Sequence, residues 1–128
     1  MKDTYPILIV PASEGGYIVR VPALDIETQG ETVTECMEMA RDAIGLWGIT
    51  QEDLGNPIPK GSSKPAKHAL DEIATLVDVD FSAYRRAHDM RTIRKNVTIP
   101  SYLNDLAEQA GVNFSQILQE GLKRRLGI

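Results

Sequence analysis

The chain is poor in the residues that make disulfides, metal centres and membrane spans. It holds one cysteine, Cys36, two histidines and 5 % aromatic residues in 128. A lone cysteine closes no internal disulfide, which fits a reducing cytoplasm. Cys36 lies on the apolar face of a predicted helix, so a buried structural thiol is expected rather than a reactive one. No apolar run approaches the length of a membrane span, and Met1-Lys2-Asp3-Thr4 has no apolar signal region, so no membrane partner is expected. His68 and His88 have no Cys or His neighbour at zinc spacing. Ser62-Ser63 and Gly15-Gly16 sit in no nucleophile-elbow or phosphate-loop context. The expectation is a protein without catalytic residues, metal or cofactor.

A surplus of positive charge is also missing, since the formal net charge is −4. Taken whole, that balance argues against nucleic acid, but the charge is unevenly distributed. Residues 85–128 hold eight Lys or Arg against four Asp or Glu, a surplus of +4. Residues 1–84 hold six against fourteen, a surplus of −8. A basic C-terminal part suits phosphate contacts, and an acidic N-terminal part suits a basic protein partner. Two unrelated solvated surfaces would give the same split.

What is present is clearest in the last quarter. Thr92-Ile93-Arg94-Lys95-Asn96-Val97-Thr98-Ile99 reads as a strand, and Pro100 ends it. A helix follows with Leu103, Leu106, Ala107 and Ala110 on one face, stopping at Gly111. Asn113 caps a second helix carrying Phe114, Ile117, Leu118, Leu122 and Leu126. One strand before two helices has no partner for its backbone groups within the segment. The same strand from a second copy, paired antiparallel about a two-fold axis, supplies one and predicts a homodimer, with assembly of dimers into a higher oligomer left open. Val97 and Ile99 share the parity that suits the helices. Arg94, Asn96 and Thr98 share the other, and these types can read guanine, adenine and thymine edges. The competing reading is an exposed strand edge with an ordinary amphipathic helical hairpin.

From Arg94 to Leu126, including Gly111-Val112-Asn113-Phe114-Ser115, the segment resembles the ribbon-helix-helix family of DNA-binding domains. The resemblance implies base readout by Arg94, Asn96 and Thr98. It implies anchoring of a DNA phosphate by Asn113, Phe114 and Ser115 at the second helix's N-terminus, where anions are favoured. Lys95 has the inward parity but is charged, so it is expected to reach sideways to the DNA backbone.

The first part alternates. Tyr5 to Val10, Tyr17 to Val21, Asp25 to Gln29 and Ala74 to Phe81 read as strands, with Val77, Val79 and Phe81 on one side. Pro6 favours an edge position or a strand start. Thr32-Val33-Thr34-Glu35 is a capping box, and the helix after it carries Val33, Cys36, Met37, Ala40, Ala43, Ile44 and Trp47 on one stripe, ending at Gly48. Residues 51–67 read as a loop inserted before the last strand. The expected fold class is α+β, a small antiparallel sheet packed on one helix and then a dimeric module. Residues 1–81 form the first domain, 82–90 a connector and 91–128 the second.

Gly16-Tyr17-Ile18-Val19, Pro22-Ala23-Leu24 and Gln29-Gly30-Glu31-Thr32 resemble the HicB antitoxin family, and the order of the two parts extends the resemblance over nearly the whole chain. Leu24-Asp25-Ile26 departs from the Pro-Gly-Cys-like turn that many members carry there. The resemblance implies a partly ribonuclease H-like first domain without that activity. It also implies binding of a HicA-like toxin, a small ribonuclease that cleaves mRNA, and repression of the operon through operator DNA. A stand-alone ribbon-helix-helix repressor with an N-terminal ligand-sensing domain is the competing function. A nuclease is a third reading, resting on Asp25, Glu27, Asp78 and Asp80, but Asp78 and Asp80 alternate with Val77 and Val79 as the solvent face of a half-buried strand would.

Overall fold

The run Tyr5–Val10 forms the middle of β1 (Lys2–Pro11). In a computed structural model describing residues 1–128, β1 is a central strand. It lies between β2 (Tyr17–Val21) and β4 (Ile73–Asp80), and β3 (Ile26–Gly30) sits outside β2. Every pairing is antiparallel. Side chains alternate across a strand, so Tyr5, Ile7 and Ile9 share one face with Val19, Val21, Val77 and Val79, all buried. Helix α1 (Val33–Asp53) closes that face with Cys36, Ala40 and Ile44, while Val33, Met37 and Trp47 pack at the margin. The Thr32 hydroxyl accepts the Glu35 N–H at 3.1 Å and fixes where the helix begins.

Pro6 sits inside this central strand, opposite Leu76 of β4, rather than at an edge or a strand start. Continuing the β1–β2 register beyond Leu8↔Arg20 sets Pro6 opposite Pro22. Neither residue has an N–H, and β2 ends at Val21. The loop after α1 takes over along the uncovered half of β1. Ser62 N–H donates to Thr4 O at 2.9 Å, Gly61 N–H to Asp3 Oδ2 at 2.8 Å, and Tyr5 O–H to Pro59 O at 2.7 Å. The insertion is therefore tied to the sheet at three points.

Helix α1 does not stop at Gly48 but runs on to Asp53. The glycine serves packing. A Cβ there would collide with the Phe81 ring, and a Cβ at Gly45 would collide with the Tyr84 ring. Both rings come from α2 (Phe81–Ala87), which lies against α1. Helix propensity favours Gly48→Ala by about 1 kcal/mol, but overfilling a packed core costs about 1–3 kcal/mol. The collision is with a fully packed ring, so a net loss of about 1–2 kcal/mol is expected, read as a lower denaturant midpoint. A raised midpoint would mean that the Phe81 ring moves aside freely.

The chain divides into two compact units, Met1–Met90 and Arg91–Ile128. Ser82 to Met90, expected as a connector, thus falls within the first unit. Arg85 bonds Asp53 Oδ1 at 3.0 Å and Ile49 O at 3.3 Å. The second unit holds α3 (Ser101–Ala110) and α4 (Phe114–Leu126). Gly111 caps α3 with φ 69°, a left-handed conformation suited to glycine. Residues 92–99 carry no regular structure here, contrary to the expected strand. A strand is defined by its ladder, and no segment of the chain pairs with this one.

Candidate nucleic-acid interface and the acidic unit

In the second unit the sequence-predicted site residues lie on two stretches. Arg94, Lys95, Asn96 and Thr98 occupy the irregular segment, and Asn113, Phe114 and Ser115 open α4. All seven are exposed. The Asn113 side-chain oxygen accepts the Gln116 N–H at 3.0 Å, fixing the first turn. The leading N–H groups of a helix have no partner within it, so this turn presents donors outward at the positive end of the helix dipole. Lys123, Arg124 and Arg125 complement the opposite end, which Gly127 closes.

No side chain of either helix in this unit is buried. Leu103, Leu106, Phe114, Ile117 and Leu122 are all exposed, and Leu118 is 39 % exposed. Val97 and Ile99, which share a strand parity, are also exposed. Each large apolar side chain left in water forgoes roughly 1.5–3 kcal/mol of burial. Thirty-eight residues with two amphipathic helices and no core of their own are an incomplete folding unit.

The first unit arranges its charges differently. The four carboxylates of the nuclease reading do not converge. Asp25, in a turn with φ 53°, and Glu27 belong to the β3 edge, while Asp78 and Asp80 belong to β4 at the opposite edge. Each of three has a structural task. Glu27 Oε1 accepts from Arg20 Nε at 3.2 Å, Asp78 Oδ1 from Arg41 Nη2 at 3.1 Å, and Asp80 Oδ1 from the Ala83 N–H at 3.0 Å as the cap of α2. Hydrogen bonds from its own backbone N–H and from Arg41 hold the Asp78 carboxyl below the usual carboxylate range. The bond from Ala83 N–H does the same for Asp80. No group of three or more His, Cys, Asp or Glu is placed to hold a metal ion.

Between α1, β4 and α2 lies a cleft of about 470 Å³ lined by Arg41, Asp42, Asp78, Asp80, Tyr84 and His88, among others. Tyr84 O–H donates to Asp42 Oδ1 at 3.1 Å, and the His88 ring stacks on Tyr84 at 4.0 Å. Burial first, and the Asp42 carboxylate second, push the Tyr84 hydroxyl up. Burial and then Glu35 and Glu31 likewise push up the Cys36 thiol, so it stays protonated and inert. Of the acidic groups of α1, Glu35 and Glu38 are exposed, and Asp42 is exposed at the mouth of this cleft. Sequence reasoning missed the Asp42–Tyr84 and Arg41–Asp78 contacts, because each joins residues more than thirty positions apart with no local pattern. No helix is long and apolar enough to cross a membrane.

The family model described as HicB_like antitoxin of bacterial toxin-antitoxin system matches residues 5–120. Over 41 residues the chain is 54% identical to Antitoxin HicB of Escherichia coli (strain K12), covering 31% of this chain and 30% of that protein. The chain thus spans under a third of that relative's length in the match. It is 36% identical over 64 residues to a UPF0150 protein of Synechocystis, covering 49% of this chain and 88% of the relative. Among solved structures, a toxin-antitoxin complex from Streptococcus pneumoniae aligns with TM-score 0.58 and 24% identity, over 98% of this chain and 99% of the other. The antitoxin HicB of Burkholderia pseudomallei aligns with TM-score 0.54 and 22% identity, over 98% and 97%. At these identities the likeness is one of fold.

Proposed function

Since the chain belongs to the HicB-like antitoxins of bacterial toxin-antitoxin systems, we propose that it neutralises a HicA-like, mRNA-cleaving toxin in the cytoplasm and represses its own operon by binding operator DNA. The two tasks divide between the two parts. The first, residues 1–81 with a partial ribonuclease H-like arrangement, meets the toxin. Residues 91–128 form a ribbon-helix-helix module that reads DNA as a homodimer, with 82–90 joining them.

One observation carries the DNA-binding half of this reading. The second unit exposes the apolar faces of both its helices and has an unpaired segment before them. Pairing residues 92–99 with the same residues of a second copy supplies the missing ladder, and the four helices then bury one another's apolar faces. The resulting two-stranded ribbon is narrow enough for the DNA major groove. Arg94, Asn96 and Thr98 would point into the groove. Lys95, with Asn113, Phe114 and Ser115, would hold the phosphates on either side.

The toxin-binding half rests on family membership together with the −8 charge of residues 1–84. A basic toxin is attracted to such a surface, and its association weakens as salt screens the charges. The test is co-expression with the product of the neighbouring gene, which this reading expects to be a small basic toxin. The full chain is expected to co-purify with it, to restore growth, and to release it progressively at high salt. Recovery of folded antitoxin without the neighbour, in cells that stay growth-arrested, would sink the assignment.

A further inference from the structure

The loop between α1 and β4 carries the charge that the rest of the first unit lacks. Residues 54–70 contain Lys60, Lys64 and Lys67 and no Asp or Glu. The three lysines are exposed, and none makes an ion pair or a side-chain hydrogen bond. Arg20, Arg41 and Arg85 of the same unit are instead paired with Glu27, Asp78 and Asp53. The segment is also held in place. Gly61 lies so close to β1 that a Cβ there would collide with Thr4 O, and the Gly61 and Ser62 N–H groups donate to Asp3 and Thr4. Ser62 Oγ accepts the Lys64 N–H at 3.1 Å, and Ala69 and Glu72 close the far end with reciprocal bonds of 2.8 and 3.2 Å. The adjoining carboxylates of Asp3 and Glu72 are thereby turned toward backbone N–H groups. Pro59 and Pro65 restrict the chain further. The lysines therefore stand on a strap that folding has already ordered, so little entropy is lost when it meets a partner.

We propose that this strap, residues 60–67, holds the phosphate backbone of the duplex DNA that flanks the operator. The inference rests on the reading of residues 91–128 as the DNA-binding module. Composition decides the partner. Lys60-Gly61-Ser62-Ser63-Lys64-Pro65-Ala66-Lys67 has no aromatic, arginine or large apolar side chain. Interfaces between proteins favour aromatic residues, methionine and arginine and are depleted in lysine, serine and alanine. Contacts to phosphate use lysine, serine and backbone N–H groups. An anionic lipid surface takes a denser cluster, roughly four to eight Lys or Arg. Each lysine ammonium is a point charge on a flexible stem, so it takes whichever phosphate is in reach and reads no base. The acidic remainder of the unit is repelled by DNA, which leaves the strap as the part that can approach it. Three such contacts are weak alone. On a chain already bound to its operator they become intramolecular and act at a high effective concentration. The strap thus adds length to the bound site without adding sequence.

The test compares full-length chains on two duplexes. One is the shortest operator fragment that the parent still distinguishes from scrambled DNA. The other adds one helical turn, ~10 base pairs, at each end. The parent is expected to bind the extended duplex roughly 10- to 100-fold more tightly at about 0.05 M salt. Its slope of log affinity against log salt should be steeper there by about 2 to 3 for each bound chain. Lys60→Gln, Lys64→Gln and Lys67→Gln together should erase both the gain and the added slope. The same variant should bind the short fragment like the parent and keep its helical signal in circular dichroism. Lys64→Gln alone should lower the slope on the extended duplex by about 1 per chain, and it decides the matter should the triple variant misfold. Equal weakening on both duplexes would mark a general loss of charge and overturns the proposal. A parent that gains nothing from the flanks also overturns it, while the operator reading stands. A parent that binds no operator removes both. Strap-dependent binding of single-stranded RNA, with no gain on the extended duplex, overturns the DNA assignment and makes the strap an RNA contact.

Discussion

Replacing Arg94 and Asn96 together by alanine is expected to lower operator affinity by roughly 10²- to 10⁴-fold, with the chain still folded. Each side chain of this kind carries about 1–3 kcal/mol of discrimination through paired contacts to a base edge, and the two add when their base pairs are separate. Affinity for scrambled DNA should fall far less, because that binding comes from phosphate contacts. Lys95→Ala should behave in the opposite way, weakening all sequences alike and flattening the dependence on salt. Changes at Asn113, Phe114 and Ser115 should resemble Lys95→Ala. Titrations of operator and scrambled duplexes at several salt concentrations separate the two patterns. An Arg94→Ala, Asn96→Ala protein that stays folded and binds its operator like the parent would remove the segment from the reading role. Lys123, Arg124 and Arg125 would then be the leading candidates.

A single charge on the apolar face of α4 should have a larger effect on assembly. Leu118→Glu is expected to dissociate the second units of two copies and to melt their helices, leaving the first unit folded. Leu118 is 39 % exposed in the single chain, with Ile117 and Leu122 beside it. In a paired state those side chains are the core. Losing Leu118 from each of two copies removes roughly 3–6 kcal/mol of burial, and the introduced carboxylates must also leave water. A module of this size has about 3–5 kcal/mol to lose. The measurements are helical signal by circular dichroism and residue-level amide exchange over 101–126 and 33–53. Unchanged protection in 101–126 would show that this face is not where the second unit finds its core.

The first unit was legible where local chemistry and tertiary packing agree. The parity of Val77 and Val79 gave β4 its buried side, and the stripe through Cys36, Ala40 and Ile44 gave α1 its orientation. Gly48 was misread as a helix stop because a glycine's local rule is to end a helix. Its actual reason, the ring of Phe81, lies thirty-three residues further on. Pro6 was misplaced for a similar reason, since a central proline is tolerated only where the opposing strand has already ended. The latch between Thr4 and Ser62 has no sequence signature at all. In the second unit the helices, their Asn113 cap and their Gly111 stop were legible, because these signals are local. The strand expected over residues 92–99 has no ladder in the single chain, because a local pattern names a strand but not its partner. The identity of the residues there was readable, but the base that each would meet was not.

The strand order has a consequence for how the protein is made. β1 pairs on one side with β2, which follows it closely, and on the other with β4, so Lys2 meets Asp80 and Ile9 meets Ile73. Forty-two residues separate the end of β3 at Gly30 from the start of β4 at Ile73. Bacterial or not, a ribosome adding ~5–20 residues per second needs roughly 2–8 s to cross that gap. Through that interval β1 has no partner for the edge that β4 later covers. Such edges pair with whatever strand is nearest. The high contact order of the β1–β4 ladder therefore makes the growing chain vulnerable to strand pairing between neighbouring nascent copies, and vulnerability ends only when β4 emerges.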